Sequence, residues 1–303
     1  MKSDKFTAIR ERLSKKSIEL VLLSDPNVAS IVKKWIPTSS SALNKILGGG
    51  LPCGRLTEIF GDESAGKSSL VADIIANTQR LGGTAVIIDS EQVFEPKRAQ
   101  AMGIDLSNVL HTTEPTVEAA FDIMNSVMDG YVADAEAPLC IVWDSVAASP
   151  TVSELHGEVS EVSPLAEKAR LISKGLRQIQ SKIGKYTALV FVNQNRTNIG
   201  GPRFGKKTSP TGGKGLRYAA SIRLEITRIA TLKEGEKAVG ITCELKTAKN
   251  KVAPPFRSVV FNMYAKGGID DSTFLLEKLV EAGLVRKKAA WYTYGEGKKE
   301  IKF

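Results

Sequence analysis

The chain is poor in the residues that build metal and redox centres. Its 303 residues include three cysteines, Cys53, Cys140 and Cys243, and two histidines, His111 and His156. The cysteines are far apart and form no C-x-x-C pair, which argues against zinc ligation and a disulfide framework. Two separated histidines do not make a histidine-rich metal site. No uncharged apolar run approaches the roughly 18 residues of a membrane helix. The amino-terminal MKSDKFTAIRERL also lacks an apolar signal core, so the expectation is a folded cytoplasmic protein with no membrane partner. Internal repeats and low-complexity tails are missing too, which removes solenoid architectures.

Acidic residues are outnumbered, 33 against 42 basic, for a net charge of +9. That balance favours polyanionic partners but also suits a diffuse solubility charge. Locally the bias is sharper. Between residues 196 and 224 there are seven basic residues and no acidic one. Within it, Arg196–Arg217 reads RTNIGGPRFGKKTSPTGGKGLR, basic, glycine-rich and nearly free of large apolar side chains. Long irregular segments in compact domains tend to be functional or disordered.

The remaining pattern is that of an α/β protein. Residues 1–37 form a basic lead-in with Phe6, Ile9 and Leu13 at helical spacing, followed by SIELVLL. This arm has too little apolar surface for a core and is expected to dock on the body or on another subunit. From about Thr38 to Val192, the apolar strands RLTEIFG, TAVIIDS, LCIVWDS and ALVFVNQ alternate with helices starting at Lys67 and near Thr116–Met128 and Pro164–Ile183. Short apolar strands separated by helices predict right-handed βαβ units around a buried, mostly parallel sheet. After the basic stretch, SIRLEITRIA, ITCELKTAKNK and RSVVFNMY follow one another through polar turns, as antiparallel strands extending that sheet. A last helix, Ser272–Glu281, precedes Gly283 as its cap.

Residues 61–68, GDESAGKS, satisfy G-x-x-x-x-G-K-[ST], follow an apolar strand and open a helix, the context that makes this pattern specific. Gly61 and Gly66 let the loop curl so that backbone N–H groups, with the helix amino terminus, face a β-phosphate. Lys67 reaches the β- and γ-phosphates and Ser68 holds Mg²⁺; Asp62, Glu63, Ser64, Ala65 and Ser69 complete the cradle. Asp144, ending LCIVWD, supplies a second oxygen for the magnesium shell. Glu91 lies just beyond TAVIID, on the rim where open α/β sheets place their chemistry, as general base for an attacking water. Gln194 ends ALVFVNQ, placed to sense a γ-phosphate and pass that on to the basic stretch that follows.

These residues resemble the RecA family of homologous-recombination ATPases. PTSSSALNKILGGGLPCGRLTEIFGDESAGKSSL, IIDSEQVFEPKRAQAMGID, VWDSVAA, FVNQNR, TGGKGLRYAASIRLEI, KNKVAPPF and AAWYTY match that family's landmarks in order, from about Ile36 to Tyr294. The resemblance implies a P-loop ATPase core over residues 38–303 and an oligomerisation arm over 1–37. It also implies ATP and Mg²⁺ as cofactors, helical filaments on single-stranded DNA, and pairing with homologous duplex. Single-strand-binding and loader proteins are further partners that it suggests.

By position, Glu91 falls on the general base, Gln194 on the glutamine coupling ATP to DNA, and Glu95, Arg98 and Tyr264 on nucleotide contacts. Lys249 and Lys251 fall on the pair that reaches a neighbour's γ-phosphate, and Arg217, Tyr218 and Arg223 on the subunit interface. Arg170, Ser173 and Arg177, at i, i+3 and i+7, share one helix face suited to DNA phosphates. The DNA-binding loops fall near 157–165 and 195–214, with Arg196, Ile199, Phe204, Gly212, Gly213 and Lys214 as contacts in the second.

Three departures stand out. Arg98 replaces a tyrosine that stacks on adenine, and Ser160–Leu165 is one residue longer than usual, with Pro164 near a customary methionine. The chain also stops at Phe303, without the small carboxy-terminal domain and acidic tail the family commonly carries, as a natural short form or a truncation. Two other readings share part of the pattern. A ring helicase has the same core but uses an arginine finger in trans, where this sequence has KNK. A nucleotide-binding regulator without strand exchange fits less well with a complete Lys67, Glu91 and Asp144 set.

Overall fold

A computed structural model describes residues 6–17, 20–25, 28, 31–114, 116–131, 136–157, 164–197, 208–210, 213–295 and 300–303. In chain order the elements begin with α1 (Thr7–Ser14), β1 (Trp35–Ile36), α2 (Ser41–Leu47), β2 (Leu51–Pro52), β3 (Arg55–Gly61), α3 (Lys67–Arg80), β4 (Thr84–Asp89) and α4 (Pro96–Ala101). They continue with β5 (Val109–Thr112), α5 (Val117–Gly130), β6 (Leu139–Asp144), α6 (Val152–His156), α7 (Pro164–Gln180), β7 (Thr187–Thr197), β8 (Thr208–Pro210) and α8 (Gly213–Ala219). The last are β9 (Ile222–Glu234), β10 (Lys237–Asn250), β11 (Ser258–Tyr264), β12 (Gly268–Asp270), α9 (Ser272–Glu281), β13 (Val285–Lys288), β14 (Trp291–Tyr294) and β15 (Ile301–Lys302).

The main sheet has the order β12-β11-β10-β9-β3-β7-β6-β4-β5, with β8 attached to β7. Neighbours from β5 to β9 are parallel, and β10, β11 and β12 extend the sheet antiparallel. This is the helix-flanked, mostly parallel sheet with an antiparallel extension that the alternation of strands and helices predicts.

Successive strand residues face opposite sides, and both sides are covered. Val86, Ile88, Ile141, Trp143, Leu189 and Phe191 pack with Phe121 and Met124 of α5 and Ile172 and Leu176 of α7. Ile87, Val142 and Val190 belong to the other layer, with Leu70, Ile74 and Ile75 of α3. Each such side chain contributes about 1.5–3 kcal/mol by burial, so the helices are held by packing on the sheet rather than by propensity. Close approach sets one residue: a Cβ on Gly175 of α7 would lie 2.4 Å from the Phe121 ring.

Parallel strands leave their carboxyl ends on one rim. Gly61 lies opposite Gln194 and Asp89 opposite Asp144. The residues singled out for chemistry therefore converge through strand register, although they are far apart in sequence.

Several boundaries differ from expectation. β7 does not end at Gln194 but runs to Thr197, pairing antiparallel with β8, Asn195 opposite Pro210 and Thr197 opposite Thr208. The basic stretch therefore opens and closes as a two-stranded ribbon. Ile199, Phe204 and Gly212, and residues 158–163 of the other expected DNA loop, lie outside the described residues. Gly283 sits one residue beyond the α9 cap Ala282, with φ +73, a left-handed conformation that glycine adopts without strain. β13, β14 and β15 form a separate small antiparallel sheet. In the arm, Phe6 and Ile9 of the expected apolar face are about half exposed, at 52% and 50%. No helix among the described residues is long and apolar enough to cross a membrane.

Candidate nucleotide site

The loop from β3 to α3 is built by two glycines with different tasks. Gly66 caps α3 with φ +101, and a Cβ there would lie 2.9 Å from the Met263 sulfur. Gly61 has no left-handed φ. It is required because a Cβ would lie 2.1 Å from the Ile226 carbonyl oxygen of β9. The expectation that Gly61 serves the curl of the loop is corrected on this point: neighbouring-strand packing demands it.

The loop, α3 and the sheet rim enclose a cleft of about 440 Å³ whose walls include Glu63, Ser64, Gly66, Lys67, Ser68, Ser69, Glu91, Arg98, Asp144 and Gln194. Ten of the residues singled out in the sequence thus meet in one place. The Lys67 ammonium donates to the Asp62 carbonyl at 2.7 Å and the Gly61 carbonyl at 3.2 Å, which points it along the cradle. Burial lowers its pKa against the pull of Asp144, Glu91, Asp62 and Glu63.

The carboxylates are held in separate networks. The Ser68 hydroxyl donates to Asp144 Oδ2 at 3.1 Å. Glu91 Oε1 accepts from the Gln194 amide at 2.7 Å and from the Ser145 hydroxyl. Asp144 is 2% exposed, and burial, then the charge of Glu91, pushes its pKa up to about 7. An acid so disfavoured as an anion gains from a nearby cation, and Ser68 and Asp144 offer the hard oxygens that Mg²⁺ takes.

Other expected nucleotide contacts lie around the cleft. The Asp62 side chain accepts from the Asn195 amide at 3.1 Å, tying the loop to the base of the ribbon. Ala65 is buried, and its carbonyl receives the Cys243 thiol at 3.2 Å. Glu95 caps α4, accepting from the backbone N–H groups of Lys97 and Arg98 at 3.0 and 2.7 Å. Arg98 extends from that helix to the Ser69 hydroxyl at 3.2 Å. Tyr264 ends β11 opposite Gly240, outside the walls of the cleft.

Lys249 lies away from the cleft of its own chain. It pairs with Arg223, which pairs with Glu58, three strand residues or about 10 Å before Gly61. Its ammonium donates to the Arg217 and Tyr218 carbonyls at 2.9 and 3.0 Å. Burial, then the charge of Lys251, lowers its pKa. Lys251 is exposed just beyond β10. Arg217 and Tyr218 are exposed on α8. Arg223 differs from its expected place at a subunit surface. It is 7% exposed, bonded to Glu58 and stacked 4.5 Å above the Phe60 ring, because its strand lies inside the sheet.

Of the expected DNA contacts, Arg170 and Arg177 are exposed on α7. Ser173 is half-buried between them and donates to the Ala169 carbonyl at 2.7 Å. Lys214 is exposed and Gly213 starts α8 with φ +71. Arg196 contributes its backbone to the ribbon opposite Ser209. Sequence reading passed over Ser145 and Ile241. The former follows Asp144 directly, whereas Ile241 reaches the cleft wall on an antiparallel strand far along the chain, without a local signal.

Residues 3–270 match the RecA N-terminal domain family. The chain is 41% identical over 274 residues to Protein RecA of Frankia alni, covering 88% of this chain and 77% of that protein. It is 40% identical over 274 residues to Protein RecA of Saccharopolyspora erythraea, with the same coverages. Protein RecA of Chloroflexus aggregans is 41% identical over 263 residues, covering 86% of this chain and 73% of the relative.

Proposed function

The chain belongs to the RecA family and is a DNA-dependent ATPase and recombinase, and on that premise we propose how its residues divide the work. The nucleotide is ATP, its phosphates in the cradle of residues 61–69 with Lys67 along the β- and γ-phosphates. Ser68 and Asp144 would hold magnesium, which when bound would supply positive charge against that developing on the phosphates. Glu91 takes the proton of a water whose oxygen attacks the γ-phosphorus, and the bond to the β-phosphate oxygen breaks to leave ADP. Gln194 holds Glu91 by hydrogen bond and lies on the strand that becomes the basic ribbon, so the state of the nucleotide reaches residues 195–214. Glu95, Arg98 and Tyr264 frame the base, with the Arg98 guanidinium in place of a stacking ring.

Single-stranded DNA, then duplex, is gripped by Arg170, Ser173 and Arg177 and by the basic stretch with Arg196, Ile199, Phe204, Gly212, Gly213 and Lys214. Subunits assemble as a filament in which Lys249 and Lys251 approach the neighbour's γ-phosphate and Arg217 and Tyr218 meet its surface. The distance of Lys249 from its own cleft supports a role in trans. Arm residues 1–37 pack on the adjoining subunit, in keeping with exposed Phe6 and Ile9. Single-strand-binding and loader proteins are the expected accessory partners, in the cytoplasm.

One observation carries this reading: Lys67, the Ser68–Asp144 pair and the Gln194–Glu91 pair converge on one cleft. In a single-stranded-DNA-stimulated ATPase assay, Glu91→Gln is expected to lower kcat by on the order of 10²–10⁴, with ATP affinity kept. Turnover at the wild-type rate would remove Glu91 as the base.

A further inference from the structure

The turn that presents Glu91 hangs from one buried carboxylate. Asp89, the last residue of β4, is 1% exposed. Its Oδ1 accepts from the Val93 N–H at 3.1 Å and its Oδ2 from the Phe94 N–H at 3.0 Å. These bonds fold residues 89–94 back on themselves and leave Glu91 at the apex, beside Gln194 and Ser145. The turn includes Gln92 at φ +56, an unfavourable conformation for a non-glycine residue, which the bonds to Asp89 must hold in place.

A third partner comes from another strand. His111 on β5 pairs with Ile87 of β4, and its ring Nε2 lies 3.2 Å from Asp89 Oδ2. A carboxylate oxygen only accepts, so this nitrogen carries the proton and donates. Asp89 also has a carboxylate beside it: Asp144 is its register partner on the adjacent strand, and the charge of Asp89 adds to those raising the Asp144 pKa. A buried carboxylate is held in place by its donors, and the loss of one is costly.

We propose that His111 is a positioning residue for hydrolysis: by donating to Asp89 it locks the 89–94 turn and thereby aims Glu91 at the attacking water. The inference rests on Glu91 being the base. His111 lies outside the cleft, and the phosphate cradle is built on β3 and α3, not on this turn. Its loss therefore acts on the chemical step more than on nucleotide binding.

The test compares wild type, His111→Ala, His111→Gln and Glu91→Gln as full chains, measuring DNA-stimulated kcat and KM, ATP affinity by equilibrium dialysis, and Tm. His111→Ala is expected to lower kcat about tenfold with ATP affinity within about threefold of wild type. His111→Gln, whose amide can still donate, is expected to recover most of kcat. That rescue separates positioning from a general loss of stability, which Tm tracks independently. Wild-type kcat in His111→Ala, or equal loss in the Ala and Gln variants, would overturn the proposal while Glu91→Gln stays inactive. An active Glu91→Gln would instead overturn the assignment of the base.

Discussion

Asp144 is expected to cost the protein stability when nothing neutralises it, and replacing it by Asn measures that cost. Burial and the charge of Glu91 raise its folded pKa to about 7, whereas an unfolded aspartate titrates near 3.9. Below about pH 4 the group is neutral in both states and contributes nothing. Between about pH 4 and pH 7 folding takes up a proton, so stability falls as pH rises. Above pH 7 the folded state carries an anion it disfavours. The cost is about 1.4 kcal/mol for each pH unit separating the folded and unfolded pKa values, or roughly 4 kcal/mol in all. Asn removes the charge and nearly keeps the shape, and its amide oxygen still accepts from Ser68. Some of the gain is lost because Lys67 and Glu91 readjust. Asp144→Asn is therefore expected to be more stable than wild type by roughly 2–4 kcal/mol at pH 8, with the advantage shrinking towards pH 4. Urea unfolding in EDTA without nucleotide, at steps from pH 5 to pH 8, reads this directly. With Mg²⁺ and ATP the order should reverse, since ligands that bind the folded state stabilise it and the variant lacks the carboxylate oxygen proposed to hold the metal. A variant no more stable than wild type at pH 8, or one whose advantage ignores pH, would refute the reasoning.

Two further outcomes follow from placement in the sheet. Lys249→Ala with Lys251→Ala is expected to leave ATP binding by the isolated chain intact but to lower DNA-dependent turnover by on the order of 10² and to abolish ATP-dependent assembly in sedimentation velocity. Wild-type assembly would dismiss the action in trans. Arg223→Ala removes the cation from a buried pair and leaves Glu58 uncompensated, so urea unfolding is expected to show a loss of about 3–5 kcal/mol. A loss below about 1 kcal/mol would mean that water reaches Glu58.

Much of the fold was legible because its signals are local. The strand RLTEIFG and the helix Ser272–Glu281 fall where apolar pattern and capping put them, and Lys67 opens α3 as the phosphate-loop motif requires. The boundary of β7 was not legible. After Gln194 the chain is polar and glycine-rich, and its extended backbone depends on pairing with β8, which the intervening sequence does not reveal. Arg223 was misplaced for a related reason. The resemblance alone put it at the subunit interface, and the opposing Glu58, 165 residues earlier, which offsets the cost of its burial, leaves no local signal.

The sequence by itself determined the chemistry. GDESAGKS, the carboxylates Glu91 and Asp144 at strand ends, and an acid-free basic stretch are the signals behind the proposed nucleotide cradle, base, metal oxygen and anion-binding segment, since each rests on residue type and short-range spacing. Tertiary structure decided the couplings. Strand register brought Asp89, Glu91, Asp144 and Gln194 to one rim, set His111 against Asp89, raised the Asp144 pKa and carried Lys249 away from its own cleft. Register and burial join residues that are distant in sequence, and the electrostatic effects between them exist only once the sheet has formed.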